Sequence, residues 1–240
     1  MLDIKCVAMK SHNGEFVPEI PFEEIACEVI DKKNIVILKN VFEKEGLLKM
    51  RDFVFRWGRD TEPTNPKEQL VSSWHRIDNN PPMSETKHIF HIYNFVDYDH
   101  PAGKELLRFA AGMKLIQEAL TGLPLDTKMG AKGKYFVRPQ VIHYPSGGGF
   151  FDWHVHSFQP QKLGLILSVA DRRVDFQHGG TRFKIDDKDV GIEEYHQIGD
   201  IALFRYDIVH CISPLDPDLP AIDFKSTKGK WSLVLPIVLM

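Results

Sequence analysis

Cysteine is scarce. The three present among 240 residues, Cys6, Cys27 and Cys211, fall at no paired spacing, which argues against a disulfide framework and for reduced core thiols in a cytosolic protein. An excess of one charge is missing too. With 30 Lys and Arg against 33 Asp and Glu, the formal charge is -3, and no basic surface points to nucleic acid. No apolar run approaches the roughly 20 residues of a membrane span, and the N-terminus lacks the longer apolar stretch of a signal peptide. Membrane partners are therefore not expected. There is no internal repeat and no low-complexity segment. What remains is an ordinary globular composition, 43% apolar and 26% charged, able to bury a real core as a single domain over 1–240.

The first half of the chain reads mainly as helical support, over 1–122. A helix is expected over 21–30, where Phe22, Ile25, Ala26, Val29 and Ile30 follow the spacing of one buried face. Asn34–Leu38 is a short apolar strand. A second helix spans about 43–57, with Leu47, Leu48, Phe53, Val54 and Trp57 inward. A third runs from Ala102 to Thr121, with Leu106, Leu107, Phe109, Met113, Ile116, Ala119 and Leu120 as its apolar face and Gly122 as its cap. Residues 59–100 are broken by Pro63, Pro66, Pro81 and Pro82, yet carry His75, His88 and His91 among aromatics. They are either a loop and strand packed on the scaffold or a substrate-binding lid.

After Leu123 the pattern changes. Short strand-like runs at 135–144, 163–169, 180–185, 200–205 and 230–239 are separated by Gly, Pro and Asp turns, with no helix-length interval. That predicts an antiparallel sandwich or barrel over 123–240, and an α+β class for the whole.

The chemistry concentrates around Tyr144-Pro-Ser-Gly-Gly-Gly-Phe-Phe-Asp-Trp-His154-Val-His156. Residues two apart on an extended strand share a face, so His154 and His156 can converge on one metal ion. His210 ends another strand-like run far downstream. Two ligands from one strand and one from a distant strand make an open site with positions left for substrate and oxygen. Cys211 should face away from His210, as a small buried residue rather than a ligand or nucleophile.

In this order of motifs the C-terminal half resembles the double-stranded β-helix, a jelly-roll or cupin-like fold, of iron(II)- and 2-oxoglutarate-dependent dioxygenases, in particular their prolyl-hydroxylase-like branch. The matching stretches are Tyr144-x-x-Gly147, His154-x-His156, Asp175-Phe-Gln-His-Gly179-Gly180, Gly199-Asp-Ile-Ala-Leu-Phe, His210-Cys-Ile-Ser-Pro214 and Gly229-Lys230-Trp231-Ser232. The resemblance implies Fe(II) at His154, His156 and His210, with Lys230 and Ser232, on one face of the last strand, holding 2-oxoglutarate and Tyr144 lining the pocket. Arg205 and Arg182 are fallbacks for the cation. The step from His210 to Lys230 is longer than usual for the family and implies an insertion over 215–228.

The chief departure is His156, where the family has Asp or Glu. Three readings stay open: a three-histidine iron site, a carboxylate supplied instead by Asp152, or a binding module or non-enzymatic relative in which the metal is lost or altered. Gln140 could touch ligand, Asp207 could hydrogen-bond a ligand imidazole, and His143 and His178 read as packing and exposed turn. The resemblance implies an oxygenase hydroxylating a C–H bond of a small-molecule or peptide substrate with O2. The alternatives are a three-histidine dioxygenase without 2-oxoglutarate and a non-catalytic binding protein on the same fold.

Overall fold

The computed structural model describes residues 4–12, 15–64, 72–82, 84–96, 100–127, 134–186 and 188–239. The chain opens with the hairpin β1 (Ile4–His12) and β2 (Glu15–Pro18), then helix α1 (Phe22–Ala26), continued by a π-helical turn over Cys27–Asp31. Ile25 and Val29 are its fully buried positions, matching the expected face. The apolar run becomes β3 (Ile35–Lys39), which lies between two other strands and so has both faces to bury.

Helix α2 (Lys44–Asp60) buries Leu47, Met50, Arg51, Val54 and Gly58. Leu48, Phe53 and Trp57 are only half-buried, a correction to the expected face. Arg51 can go inside because its Nη1 meets the Asp175 carboxylate, also buried, at 2.8 Å. Next comes the hairpin β4 (Trp74–Asn79) and β5 (His88–Asn94). Helix α3 (Pro101–Thr121) starts with a proline in its first turn and the His100 ring accepting from the Ala102 amide. It stops at Gly122, whose φ of 68° is the left-handed conformation that glycine adopts without strain. Leu107 and Ala119, expected inward, are exposed.

The strand-rich half comprises β6 (Tyr135–Val137), β7 (Gln140–Pro145), β8 (Phe150–His154), β9 (Leu163–Ser168), β10 (Gly180–Ile185), β11 (Lys188–Gly191), β12 (Ile201–Arg205), β13 (His210–Ser213), β14 (Gly229–Val234) and β15 (Ile237–Leu239). Pro139 and Pro236 divide the two longest expected strands, because proline has no N–H for a ladder. The outer pieces β6 and β15 pair with each other instead.

One ladder runs β11-β10-β13-β8-β5-β7-β14-β9-β12-β3-β1-β2. It closes on itself: Phe183 of β10 packs in one apolar cluster with Ile166 of β9 and Ala202 and Phe204 of β12, so the two arms face each other. This is the double-stranded β-helix anticipated from the motif order. The N-terminal half supplies more than helices. β3 and β1 extend one arm, and β5 bridges β8 to β7. Within 59–100 the described residues include this hairpin, with His75, His88 and His91 buried, while 65–71, 83 and 97–99 lie outside the described residues. Among the described residues no helix is long and apolar enough to cross a membrane.

Candidate metal centre

β8 and β13 are antiparallel neighbours, and their register sets His154 directly opposite His210. His156 follows two residues later, just past the end of β8. The three rings meet with centroids 4.3 Å (His154 to His210), 4.9 Å (His154 to His156) and 5.2 Å (His156 to His210) apart. One ligand nitrogen from each lies within 4.8 Å of the others.

The backbone decides which nitrogens are free. His154 Nδ1 lies 2.7 Å from the Asp152 carbonyl, and His210 Nδ1 lies 2.8 Å from the Ile208 carbonyl. A carbonyl only accepts, so each Nδ1 carries the proton and each Nε2 keeps a bare lone pair. His156 is oriented differently, stacked on the Tyr206 ring at 4.4 Å. Burial lowers the pKa of all three, to about 3 for His210 and about 4 for His156, each further lowered by the charge of His154. Neutral imidazoles with bare nitrogens are what a divalent ion needs.

The histidines open into a cavity of about 260 Å³. One wall is the inward face of the β7 segment, where Arg138, Gln140, Ile142 and Tyr144 succeed one another at every second position. Phe151, Phe204 and Tyr206 stand beside the histidines.

Of the expected site residues, Tyr144 is in this wall, and so is Gln140, whose Nε2 donates to Asn94 Oδ1 at 2.7 Å. Lys230 and Ser232 share the β14 face that meets Tyr144 and Ile142 in register, but neither is part of the cavity lining. Lys230 is fully buried, with Nζ 2.7 Å from Glu193 Oε1. Burial alone would raise the Glu193 pKa, but Lys230, then His196, holds it below the usual carboxylate value.

Asp152 does not join the three histidines. It is exposed, and its carboxylate accepts from the Trp153 amide. Arg205 and Asp207 pair with each other at 2.7 Å, Arg205 is not part of the cavity lining, and His154 and His210 Nδ1 bond to backbone carbonyls rather than to Asp207. Arg182 pairs with Asp189 on the surface. His178 is exposed, and His143 stacks on Trp231 at 4.1 Å while its Nε2 donates to the Lys228 carbonyl. Cys211 is buried, and burial pushes its thiol up to about 12; Cys6, by contrast, is exposed.

Three residues escaped the sequence reading. Arg138 could have been found by continuing the alternation back from Tyr144 past Pro139. Tyr206 and Glu193 carried no local signal, since a loop delivers each to its place.

No family model matches the sequence, and none of the curated proteins is similar to it in sequence. Solved structures do resemble the fold. A prolyl-4-hydroxylase from Pseudomonas putida is 14% identical over 89% of this chain and 96% of its own, with a TM-score of 0.55. The non-haem α-ketoglutarate-dependent epimerase SnoN of nogalamycin biosynthesis is 11% identical over 90% and 82%, with a TM-score of 0.57. A prolyl hydroxylase from Trichoplax adhaerens, solved with a peptide of the hypoxia-inducible factor oxygen degradation domain, is 11% identical over 89% of both chains, with a TM-score of 0.51. The chain thus has the fold of the 2-oxoglutarate- and iron-dependent oxygenases.

Proposed function

We propose that this protein is a non-haem iron oxygenase that uses 2-oxoglutarate and O2 to hydroxylate a C–H bond of a small-molecule or peptide substrate. The observation that carries the reading is the convergence of His154, His156 and His210, with Nδ1 of two of them tied to backbone carbonyls, at a cavity in this fold.

The donor set fits Fe(II): three neutral imidazoles leave positions open for a chelating oxo-acid and O2. Because none of the three carries charge, the ion keeps its full positive charge, which strengthens its hold on an anionic oxo-acid. When bound, iron and 2-oxoglutarate supply the oxidising power: one oxygen atom enters the substrate, the other enters succinate, and CO2 leaves. The chain's own part is to hold the rings. The two Nδ1–H bonds to carbonyls fix ring orientation, and Phe151, Phe204 and Ile142 keep the cavity beside the ligands apolar.

One observation favours a second reading, a three-histidine dioxygenase that takes its substrate directly on iron. The cation expected to hold the oxo-acid, Lys230, already has a carboxylate partner in Glu193. Anaerobic titration with Fe(II), with and without 2-oxoglutarate, separates the two. A weak visible band near ~500 nm, arising from bidentate chelation at an open site, is expected in wild type and absent in His210→Ala. Tight iron binding without the band selects the second reading. No iron binding leaves a non-catalytic relative.

A further inference from the structure

Two cations stand near the paired strands β7 and β14, Lys230 within β14 and Arg138 two residues before β7 begins, and they differ in what they meet. Lys230 sits beside Tyr144 in the register; its Nζ, like Arg138 Nε, is buried without a hydrogen bond of good geometry, but its charge is paired 2.7 Å away with Glu193, which also accepts from the Thr181 amide at 2.7 Å. Arg138 lies six residues before Tyr144 and lines the same cavity. Its backbone amide is bound to the Pro236 carbonyl, its side chain lines the metal cavity, and its Nε is buried without a hydrogen-bond partner. Among the described residues it makes no ion pair.

Two other polar residues of the cavity lining are already engaged. Gln140 donates to Asn94, and Gln161 Oε1 accepts from the Ile237 amide at 3.1 Å. A guanidinium held partly out of water without an anion is costly, and the cost is recovered when a carboxylate docks on its planar fork.

From this we infer that Arg138, not Lys230, is the residue that holds the carboxylate of a ligand in the metal cavity, and that Lys230 and Glu193 form a closed internal pair that takes no ligand. The inference rests on the metal-cavity reading above. The carboxylate has two possible sources, the far end of the oxo-acid or the substrate itself, and both offer the same two-oxygen edge to Arg138.

The test uses iron-loaded protein kept anaerobic, in wild type, Arg138→Gln, and the double variant Lys230→Met with Glu193→Gln, which removes both charges of the internal pair together. Calorimetry and the visible band report 2-oxoglutarate binding, with pyruvate as the probe lacking the far carboxylate. Succinate added to the 2-oxoglutarate-loaded protein is the probe for a substrate carboxylate, and thermal melts check that each variant is folded. If Arg138 holds the oxo-acid, Arg138→Gln weakens 2-oxoglutarate by at least about 30-fold, the effect of losing one charge-assisted pair, and leaves pyruvate unchanged. If it holds the substrate, 2-oxoglutarate is unchanged and succinate binding is lost. In both cases the double variant stays within about 3-fold of wild type, as loss of a pair that touches no ligand implies. Loss of 2-oxoglutarate in the double variant, with Arg138→Gln unaffected for both probes, overturns the inference. Absence of the band in wild type, with succinate still binding through Arg138, keeps the carboxylate site and removes the oxo-acid from the proposed function.

Discussion

Two groups of histidines in this molecule use the same side chain to opposite ends. In the trio of His154, His156 and His210, two rings have one nitrogen committed to a backbone carbonyl and the other left bare. In the bridging hairpin every nitrogen of His75 and His91 is spent. Thr61 Oγ1 donates to the Trp57 carbonyl, so it must accept from His75 Nε2, 2.8 Å away. Neutral His75 then presents Nδ1 as an acceptor, and His91 Nε2 donates to it at 2.9 Å. His91 Nδ1 in turn accepts the Tyr93 hydroxyl proton at 2.9 Å. The chain of donors runs one way, from Tyr93 to Trp57, and ends with nothing free to bind a metal. A cluster of histidines is therefore a ligand set only where the second nitrogen of each ring has no protein partner.

The contrast can be broken by exchanging the two groups' fates. The largest expected effect is on metal affinity. His210→Ala should weaken Fe(II) binding by more than about 100-fold, beyond what loss of a mere supporting contact costs, while His91→Ala leaves iron stoichiometry at wild-type level. Equilibrium dialysis with metal analysis measures both, and iron loss in His91→Ala would refute the division.

Stability should show the reverse order. His91→Ala strands Tyr93 Oη and His75 Nδ1 in the interior and opens a cavity, costing about 2–4 kcal/mol in urea unfolding of the metal-free protein. His210→Ala, which relieves a crowd of unliganded rings, should cost no more than about 1 kcal/mol there.

Acid sharpens the comparison. His91 is depressed to about 3 and His143 to about 4, both chiefly by burial, so they stay neutral in the folded state at pH values where the unfolded chain takes up protons. Stability is then full above the unfolded value of about 6.5 and falls as pH drops below it, by up to about 1.4 kcal/mol per pH unit for each such histidine. Urea midpoints at pH 7, 5.5 and 4.5 should fall steadily, and less steeply in His91→Phe; a flat profile in wild type would mean these rings are not held neutral. The smallest effect is at the open end of the donor chain: Thr61→Val, with Thr61 itself exposed, should cost about 1 kcal/mol and leave iron untouched.

Much of this was legible before folding. The glycine turn, the alternation of His154 and His156, the apolar run into His210, and Gly122 as a helix stop are local signals, and local geometry carries them directly into the structure. Less legible was anything that depended on a partner far along the chain. Lys230 on its strand looked like a free cation because Glu193, 37 positions away, gives no sign in sequence of reaching the same interior. Arg51 sat unremarked in a helix until Asp175 met it. The irregular, proline-broken 59–100 stretch hid a hairpin, because its strands owe their order to β7 and β8 rather than to their own pattern.

The sequence by itself determined the alternation of the barrel strands, the helix stops and the identity of the three converging histidines, since each follows from spacing within a few residues and the fixed periods of helix and strand. Only the tertiary structure decided which charges are spent and which are free. Asp152 turned outward, Lys230 was neutralised, Arg138 was left facing the cavity, and the hairpin histidines were consumed by one another. Ionic and hydrogen-bonding partners are chosen by proximity in a low-dielectric interior, and that proximity exists only once distant strands have closed around it.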